Sequence, residues 1–215
     1  PSPVTGYGVY MGMKAAAKRA YGSDSLEGKR IAIQGAGHVA SDLARYLSKE
    51  NSILFVTDIY RQKAEKLAKE LSATFVDPDD IYSLDVDIFS PCALGGVVND
   101  DTLPVLNCDV IAGAANNILD DETKHAARLD EMGIIYAPDY VINAGGIINI
   151  SSELEGYNEE LAMRKTSRIY DTMTDILEYA DSHDITTLAA SNQLAEERIN
   201  AVGKIGQMYT SGSHF

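Results

Sequence analysis

The stretch Arg30-Ile-Ala-Ile-Gln-Gly-Ala-Gly-His-Val-Ala40 decides the fold of this 215-residue chain. Its first part, Arg30–Gln34, is a compact run with two β-branched residues, and this pattern predicts a buried β-strand. Two glycines then end the run. After them the apolar residues Val39, Leu43 and Leu47 recur at intervals of four, which is typical of one face of an α-helix. The stretch therefore predicts a strand, a glycine turn and a helix in direct succession.

The turn itself, Gly35-Ala36-Gly37-His38-Val39-Ala40, has the pattern GxGxxA in the context that gives it a physical meaning. The first glycine permits a tight turn, the second lets the backbone approach a pyrophosphate, and the small alanine lets the helix lie close to the strand. The start of the helix offers free N–H groups and a partial positive charge of about half a unit. We therefore predict that a dinucleotide binds here. His38 either binds the pyrophosphate as well or simply faces solvent at the start of the helix.

An acidic residue completes the pattern. Asp58 ends the next predicted strand, Ile53–Thr57. A carboxylate at this place can accept hydrogen bonds from the adenosine ribose and repels a 2′-phosphate, so we predict NAD as the cofactor rather than NADP. Arg61 lies nearby and weakens this preference. The alternative interpretation is a glycine turn that is followed by a surface aspartate by chance.

The rest of the chain continues an alternation of strands and helices. Further strands are predicted at Thr74–Val76, Val86–Phe89, Val110–Ala112 and Ile134–Tyr136. Further helices are predicted at Tyr7–Tyr21, Gln62–Leu71, about Asn158–Asp181 and about Leu188–Met208. This order predicts an α/β fold of the Rossmann type: a doubly wound, mainly parallel sheet with flanking helices and two long C-terminal helices.

Composition excludes several classes of function. A net charge of −14 argues against a nucleic-acid partner, because phosphate neutralisation needs clustered Lys and Arg. No apolar run approaches the roughly 18 to 20 residues of a membrane helix, so no membrane partner is expected. The two cysteines, Cys92 and Cys108, have no CxxC spacing, so we expect neither a disulfide framework nor a metal site. A reducing cytoplasm is the expected location.

Four segments resemble the amino-acid dehydrogenases that act on glutamate, leucine, phenylalanine and valine. They are Ser2-Pro-Val-Thr-Gly-Tyr-Gly-Val9, Pro91-Cys-Ala-Leu-Gly-Gly96, Ala112-Gly-Ala-Ala-Asn116 and Pro138-Asp-Tyr-Val-Ile-Asn-Ala-Gly-Gly146. The resemblance runs nearly end to end, and residues 26–28 and 137–140 are most similar to the leucine enzymes of the family. It implies NAD-dependent oxidative deamination of an L-amino acid to a 2-oxo acid and ammonia.

The resemblance also implies roles for individual residues. Thr5 would contact the nicotinamide carboxamide, and Cys92 and Ala93 would line the cofactor cleft. Asn116 and Asn143 would bind the nicotinamide ribose or the carboxamide, and Asn143 would also touch the substrate. These residues follow predicted strands, where ligands bind in open α/β sheets. The alternative for Asn143 is that it only ends a helix before a turn.

Substrate choice is implied by two isoleucines. Ile147 and Ile150 share one face of a helix after the double glycine, and Ile150 takes the place of a serine that reads the distal carboxylate in the glutamate enzymes. An apolar pocket favours an aliphatic substrate, because it leaves a buried carboxylate unpaired. Alternatively, both isoleucines belong to the core. The segment 114–117 also resembles the phenylalanine enzymes, so an aromatic substrate stays open.

The resemblance further implies that the catalytic machinery lies outside this chain. In the family a lysine base and a carboxylate stand in an N-terminal domain, and no stretch here matches their motifs. We therefore expect no catalytic residue in this chain, which would bind NAD without oxidising amino acids. Residues 1–215 would form one NAD-binding domain: an opening helix and turn (1–28), a Rossmann core (29–157) and C-terminal helices (158–215) that return toward the missing domain. The whole protein would be a homo-oligomer. A non-catalytic NAD-sensing module is the alternative.

Overall fold

A computed structural model describes residues 2–154 and 158–210 of the chain. The strands are β1 (Arg30–Gln34), β2 (Ile53–Thr57), β3 (Thr74–Phe75), β4 (Ile88–Pro91), β5 (Val110–Ile111) and β6 (Ile135–Tyr136). The helices are α1 (Ser2–Tyr21), α2 (His38–Lys49), α3 (Arg61–Leu71), α4 (Glu122–Glu131), α5 (Asp139–Ile142), α6 (Gly145–Leu154), α7 (Glu159–Ser167), α8 (Ile169–His183) and α9 (Thr187–Thr210). Single turns of 3₁₀ helix stand at Ile81–Ser83 and Leu103–Val105.

The described strands form one six-stranded sheet in the order β3-β2-β1-β4-β5-β6, and every neighbouring pair is parallel. Gln34, the last residue of β1, lies opposite Thr57 of β2 and Pro91 of β4. The strands therefore end at one common edge. The strand order reverses between β1 and β4, and this is the place where open α/β sheets bind ligands. The predicted Rossmann-type fold is confirmed.

Both faces of the sheet are covered. Ile31 and Ile33 of β1 pack in one buried cluster with residues of α1, α2, α3 and α8. Ala32, between them, points to a second cluster with residues of α4 and the first turns of α9. Successive side chains of a strand alternate between the two faces, so a five-residue strand that is buried along its centre must be sandwiched between helices.

Several predicted elements differ from the structure. The strand predicted at Val86–Phe89 is observed two residues later, because Ser90 and Pro91 pair with Ile33 and Gln34. Proline is compatible with the end of a strand, where it need not donate a ladder hydrogen bond. Short helices α5 and α6 also fill the segment after β6.

The helix predicted at Asn158–Asp181 is divided in two at Arg168, which ends α7 and begins α8. The hydroxyl of Thr166 donates to the carbonyl of Ala162 at 2.8 Å, and that of Ser167 donates to the carbonyl of Arg164 at 2.8 Å. Side chains that bind carbonyls of the preceding turn compete with the helical ladder and bend it.

The start of α9 is anchored on the sheet, while its continuation is not. Thr187 donates from its hydroxyl to the carbonyl of Tyr136 at 2.6 Å, and Leu188, Ala190 and Ser191 are buried. From residue 192 to residue 200 every side chain is exposed except the half-buried Leu194. The helix therefore does not pack wholly on this sheet, and its return toward a further domain stays a prediction.

Candidate cofactor site

The glycine turn after β1 depends on two glycines for different reasons. Gly35 has φ +120°, a conformation that side chains rarely adopt, and a Cβ there would lie 3.1 Å from the Cβ of Ala93. Gly37 has φ −73° and is exposed, and a Cβ there would meet no described atom within 4 Å. Gly35 therefore serves the fold, whereas Gly37 leaves open space above the start of α2.

The start of α2 presents unused backbone donors toward that space. The first N–H groups of an α-helix have no partner within the helix, and Gly37 has no side chain that could cap them. His38, the first residue of α2, is exposed and lines a surface cleft of about 300 Å³ with Lys63 and Lys66. An anion at this position would meet the helix N–H groups and two lysines, so the site suits a pyrophosphate.

Asp58 joins the turn to the end of β2. Its Oδ2 accepts a hydrogen bond from the backbone N–H of Ala36 at 2.7 Å, and its Oδ1 accepts one from the N–H of Tyr60 at 2.8 Å. A carboxylate has about four acceptor positions, so two remain after these bonds. The same side chain thus shapes the glycine turn and keeps acceptor capacity for ribose hydroxyls.

A second cleft of about 200 Å³ opens beside Asp58. It is lined by Gln34, Gly35, Thr57, Asp58, Ile59, Tyr60, Lys63, Pro78, Ala93 and Leu94. Ile59, Tyr60 and Leu94 are 73%, 61% and 63% exposed, although all three are apolar or aromatic. Large exposed apolar side chains around a cleft are typical of a binding site for a flat apolar ring.

Two polar atoms at this cleft are buried without a partner. Neither the hydroxyl of Thr57 nor the side-chain oxygen of Gln34 forms a hydrogen bond with any residue that the structure describes. In folded proteins, buried polar groups rarely lack a hydrogen-bond partner. Because both residues end strands at the open edge of the sheet, the cleft fits a polar ligand such as adenosine.

The loops that follow β4 and β5 continue the site along the edge. The sulfur of Cys92 accepts a long hydrogen bond from the N–H of Ala114 at 3.5 Å, and burial raises the pKa of this thiol. Gly96 donates its N–H to the carbonyl of Asn117 at 2.7 Å. A Cβ at Gly95 would lie 2.6 Å from the carbonyl oxygen of Asn116. Cys92 is therefore a neutral packing residue beside the glycine turn, and the two loops lie in direct contact.

The structure brings together the three polar residues that the sequence assigned to the nicotinamide side. Asn143 donates from its side-chain amide to the side-chain oxygen of Asn116 at 2.8 Å. A Cβ at Gly146, at the start of α6, would lie 3.2 Å from the hydroxyl of Thr5. Asn143 also ends α5, as the helix-end interpretation predicts, and its role in a binding site stays a prediction. Contacts of these side chains with a ligand stay predictions.

The two isoleucines of α6 are exposed, Ile147 at 74% and Ile150 at 58%. The alternative that both belong to the core is therefore wrong. Two lysines, Lys14 and Lys29, lie at the opposite edge of the sheet: Lys14 binds Glu50 at 2.8 Å, and Lys29 binds Asp87 at 3.5 Å.

Sequence reasoning missed several residues of the site. Gln34 and Thr57 end predicted strands, so the rule that ligands bind at the carboxyl ends of strands could have found them. Pro78 and Leu94 lie in loops, and no local pattern distinguishes them. Asp139 is only 6% exposed, and nothing in its neighbourhood in the sequence predicts a buried carboxylate.

The described residues lack two further kinds of feature. None of their helices is long and apolar enough to cross a membrane. Across residues 2–154 and 158–210, no cluster of three or more His, Cys, Asp or Glu side chains could hold a metal ion.

Comparisons with known proteins give the family. The sequence model of the family described as Glutamate/Leucine/Phenylalanine/Valine dehydrogenase matches residues 2–60 and 52–204. The chain is 53% identical over 214 residues to the leucine dehydrogenase of Bacillus subtilis (strain 168), and the match covers 100% of the chain and 58% of that relative. It is 44% identical to the phenylalanine dehydrogenase of Bacillus thermotolerans, with 96% and 55% covered.

A solved structure agrees with these matches. The crystal structure of L-tryptophan dehydrogenase from Nostoc punctiforme superposes with a TM-score of 0.92 at 48% identity, and the match covers 95% of this chain and 61% of that one. The chain therefore spans little more than half the length of the proteins it matches. Its parallel sheet, glycine turn and Asp58 fit NAD as the cofactor. The chain belongs to the glutamate, leucine, phenylalanine and valine dehydrogenase family.

Proposed function

We propose that this chain is the NAD-binding part of an L-amino-acid dehydrogenase. The observation that carries the proposal is the hydrogen bond that the N–H of Ala36 donates to Asp58, because it places an acid and an open helix start on either side of one glycine turn. This arrangement binds the ribose of a dinucleotide on one side and its pyrophosphate on the other. The acid excludes a 2′-phosphate by charge repulsion, so the cofactor is NAD rather than NADP.

The chain positions the cofactor for the reaction. NAD, when bound, accepts a hydride from the α-carbon of the amino acid. Asn116 and Asn143 hold the carboxamide end at the edge of the sheet, and Thr5 directs which ring face meets the substrate. Ala93 and the half-buried Cys92 provide an apolar wall beside the glycine turn. Loss of this hydride, and of a proton from the amino group to a base outside this chain, leaves an imine, which water hydrolyses to the 2-oxo acid and ammonia.

The substrate that we propose is an L-amino acid with an apolar side chain, of the leucine or branched-chain type. Support comes from the two exposed isoleucines of α6, Ile147 and Ile150, which stand one turn apart next to the double glycine. An exposed apolar face near a polar site suits an apolar side chain and leaves a second carboxylate unpaired. Phenylalanine is the alternative substrate, since relatives with that name are 44% identical.

We further propose that residues 1–215 act as one NAD-binding domain and do not catalyse the reaction alone. Lys14 and Lys29 are paired with carboxylates at the far edge of the sheet, away from Asn116 and Asn143. The catalytic base would come from the part of the protein that this chain does not span. The exposed part of α9, residues 192–200, would lead toward that part.

The first test is calorimetric titration of the 215-residue chain with NADH, NADPH and adenosine, together with an assay for NADH production from L-leucine. We expect saturable NADH binding, weaker NADPH binding because of Asp58, and no turnover. A folded chain that fails to bind NADH contradicts the cofactor proposal. Turnover of L-leucine by the chain alone contradicts the proposal that catalysis needs a further domain.

The substrate is tested in a chimera that joins this chain to the part of the Bacillus subtilis relative that it does not cover. We expect 2-oxo acid formation from L-leucine and little from L-glutamate. Ile150→Ser should reduce the rate with L-leucine, because a polar side chain replaces an apolar one. Ile199→Ser is the matched control, since Ile199 is 71% exposed on α9. Equal rates with both substrates would refute the apolar pocket.

The remaining proposals concern the whole protein. We propose that it is a homo-oligomer located in the cytoplasm and that its small-molecule partners are an amino acid and a 2-oxo acid. Two half-buried free thiols, Cys92 and Cys108, suit a reducing compartment. Light scattering on the chimera tests the assembly, and a monomer at micromolar concentration would contradict it.

A further inference from the structure

Asp139 is a buried carboxylate with an unusual set of partners. It is the first residue of α5 and is 6% exposed. One oxygen accepts a hydrogen bond from the N–H of Ile118 at 2.9 Å, and the other accepts one from the N–H of Tyr140 at 2.6 Å. None of the Lys and Arg side chains that the structure describes forms an ion pair with it. Two backbone N–H groups therefore hold this buried charge in place of a cation.

The two partners belong to two different elements of the cofactor site, a loop and helix α5. Ile118 stands two residues after Asn116, in the connection between β5 and α4. Asp139 stands one helical turn before Asn143, whose N–H donates to the carbonyl of Asp139 at 2.8 Å. The carboxylate thus bridges the loop that carries one asparagine to the helix that carries the other.

The asparagine pair lies beside this bridge. The bond from Asn143 to Asn116, at 2.8 Å, uses one donor and one acceptor. The amide of Asn116 keeps its N–H donors, and the side-chain oxygen of Asn143 keeps acceptor capacity. A primary carboxamide presents the complementary acceptor and donor. Such a two-point contact tolerates little displacement, because a shift of about 1 Å in a positioned group can cost about a hundredfold in rate.

A role in stabilising the fold does not by itself explain why residue 139 is an aspartate. Burying a carboxylate costs free energy unless hydrogen bonds compensate for it. The loop already has backbone bonds to its other neighbour, from Gly96 to Asn117 at 2.7 Å and from Val98 to Ile118 at 3.0 Å. Asp139 adds a hydrogen bond between this loop and α5, on the other side of the loop.

We propose that Asp139 is a positioning residue for the nicotinamide side of the site: by binding Ile118 and Tyr140 it sets the spacing of Asn116 and Asn143, and so their grip on the carboxamide. This inference rests on the proposed function of the chain as an NAD-binding part. It assigns to Asp139 no contact with the ligand itself.

The test compares a whole dinucleotide with its adenosine half. The 215-residue chain and its variants Asp139→Asn and Asp139→Ser are titrated with NADH and with AMP, and the fluorescence maximum of bound NADH is recorded. Asn keeps the shape of the side chain but offers one acceptor oxygen, and Ser keeps an acceptor too short to reach Ile118. Asp121→Asn is the matched control, because Asp121 also binds a backbone N–H, that of Lys124 at 2.9 Å, but at the start of α4.

We expect both Asp139 variants to bind NADH about tenfold more weakly, with AMP affinity unchanged within about twofold and the fluorescence maximum shifted toward that of free NADH. The control should bind both ligands like the parent chain. Equal NADH affinity in parent and variants overturns the inference while leaving the proposed function intact. Loss of AMP binding and of cooperative unfolding in both variants also overturns it, because Asp139 would then serve the fold as a whole. Failure of the parent chain to bind AMP and NADH refutes the proposed function and the inference with it.

Discussion

The two halves of the sheet, β1 to β3 and β4 to β6, contribute to the site in different ways. In the first half, β1 pairs with β2 over five residues, and the ligand groups follow directly: a glycine turn and one acid. In the second half, β5 pairs with β4 and with β6 over two residues each. There the loops are held by close glycine contacts and by a side chain, Asp139, that binds backbone N–H groups.

The difference teaches where each half is vulnerable. The longer strand pairing of the first half distributes stability over many backbone hydrogen bonds. A ligand-binding glycine there can therefore be substituted without loss of the fold. The second half has short strands and therefore depends on a few close contacts between glycines and neighbouring backbone. A single added methyl group would block such a contact. We therefore expect a change at the exposed glycine of the first half, Gly37, to alter binding, and changes at the close glycine contacts of the second half to alter stability.

The largest effect is expected from Gly113→Ala. A Cβ at Gly113 would overlap the carbonyl oxygen of Pro91 and lie 2.7 Å from its carbonyl carbon. Backbone atoms cannot move aside cheaply, so the free energy of unfolding should fall by about 3 kcal/mol, near the upper range for overpacking. Urea denaturation measures it. A loss below about 0.5 kcal/mol, the usual range for surface substitutions, would break the comparison.

Gly37→Ala should show the opposite pattern. Its φ of −73° suits alanine, and the new methyl group meets no described atom, so stability should stay within about 0.5 kcal/mol of the parent. The methyl group occupies the space that a pyrophosphate needs, so NADH affinity should fall by about 10- to 100-fold, or about 1.4 to 2.8 kcal/mol. Calorimetry with NADH measures the loss, and adenosine is the control ligand. Unchanged NADH affinity would show that the pyrophosphate lies elsewhere.

Asp58→Asn sharpens the comparison, because this residue serves both binding and the turn. NADH affinity should fall about tenfold and the preference over NADPH should shrink, since an amide no longer repels a 2′-phosphate. Asp77→Asn is the control: Asp77 is 63% exposed and pairs with Arg61 at the surface. If the two variants keep the same NADH to NADPH ratio, Asp58 does not select the cofactor.

The smallest effect is expected at Glu50, at the opposite edge of the first half. Burial by itself would raise the pKa of Glu50, but hydrogen bonds from Lys14, Tyr10 and the N–H of Leu26 outweigh it and hold the pKa below its ordinary value. A lowered pKa adds stability above that value, which is lost as the pH falls through the folded-state pKa. Glu50→Gln should therefore cost below about 1 kcal/mol at pH 7, as expected for a partly exposed pair.

The pH series decides that prediction. Thermal unfolding of the parent chain and of Glu50→Gln is measured between pH 7 and pH 3. The difference between the two proteins should be greatest at pH 7 and shrink as the carboxylate becomes protonated. A difference that grows toward low pH would mean that Glu50 is better tolerated in its neutral form. Glu65→Gln, in an exposed pair with Arg61, is the control.

Much of the first half could be predicted from the sequence. The bounds of β1 and β2, the glycine turn and Asp58 all lie within 29 consecutive residues, so short-range patterns contain the whole arrangement. The second half was predicted less well: β4 is shifted by two residues, and β5 and β6 are shorter than predicted. Strands of two residues depend on their neighbours for pairing, and local composition carries little of that information.

The sequence by itself determined the class of fold, the glycine turn and the acid after β2, because these follow from hydrophobic periodicity and from the small set of residues that a tight turn accepts. Only the tertiary structure decided that Asp139 is buried between two loops and that Ile147 and Ile150 are exposed. It also decided that Asn116 and Asn143 bind each other. These facts join residues 21 or more positions apart, or depend on what covers a helix, and such relations exist only once the chain has folded.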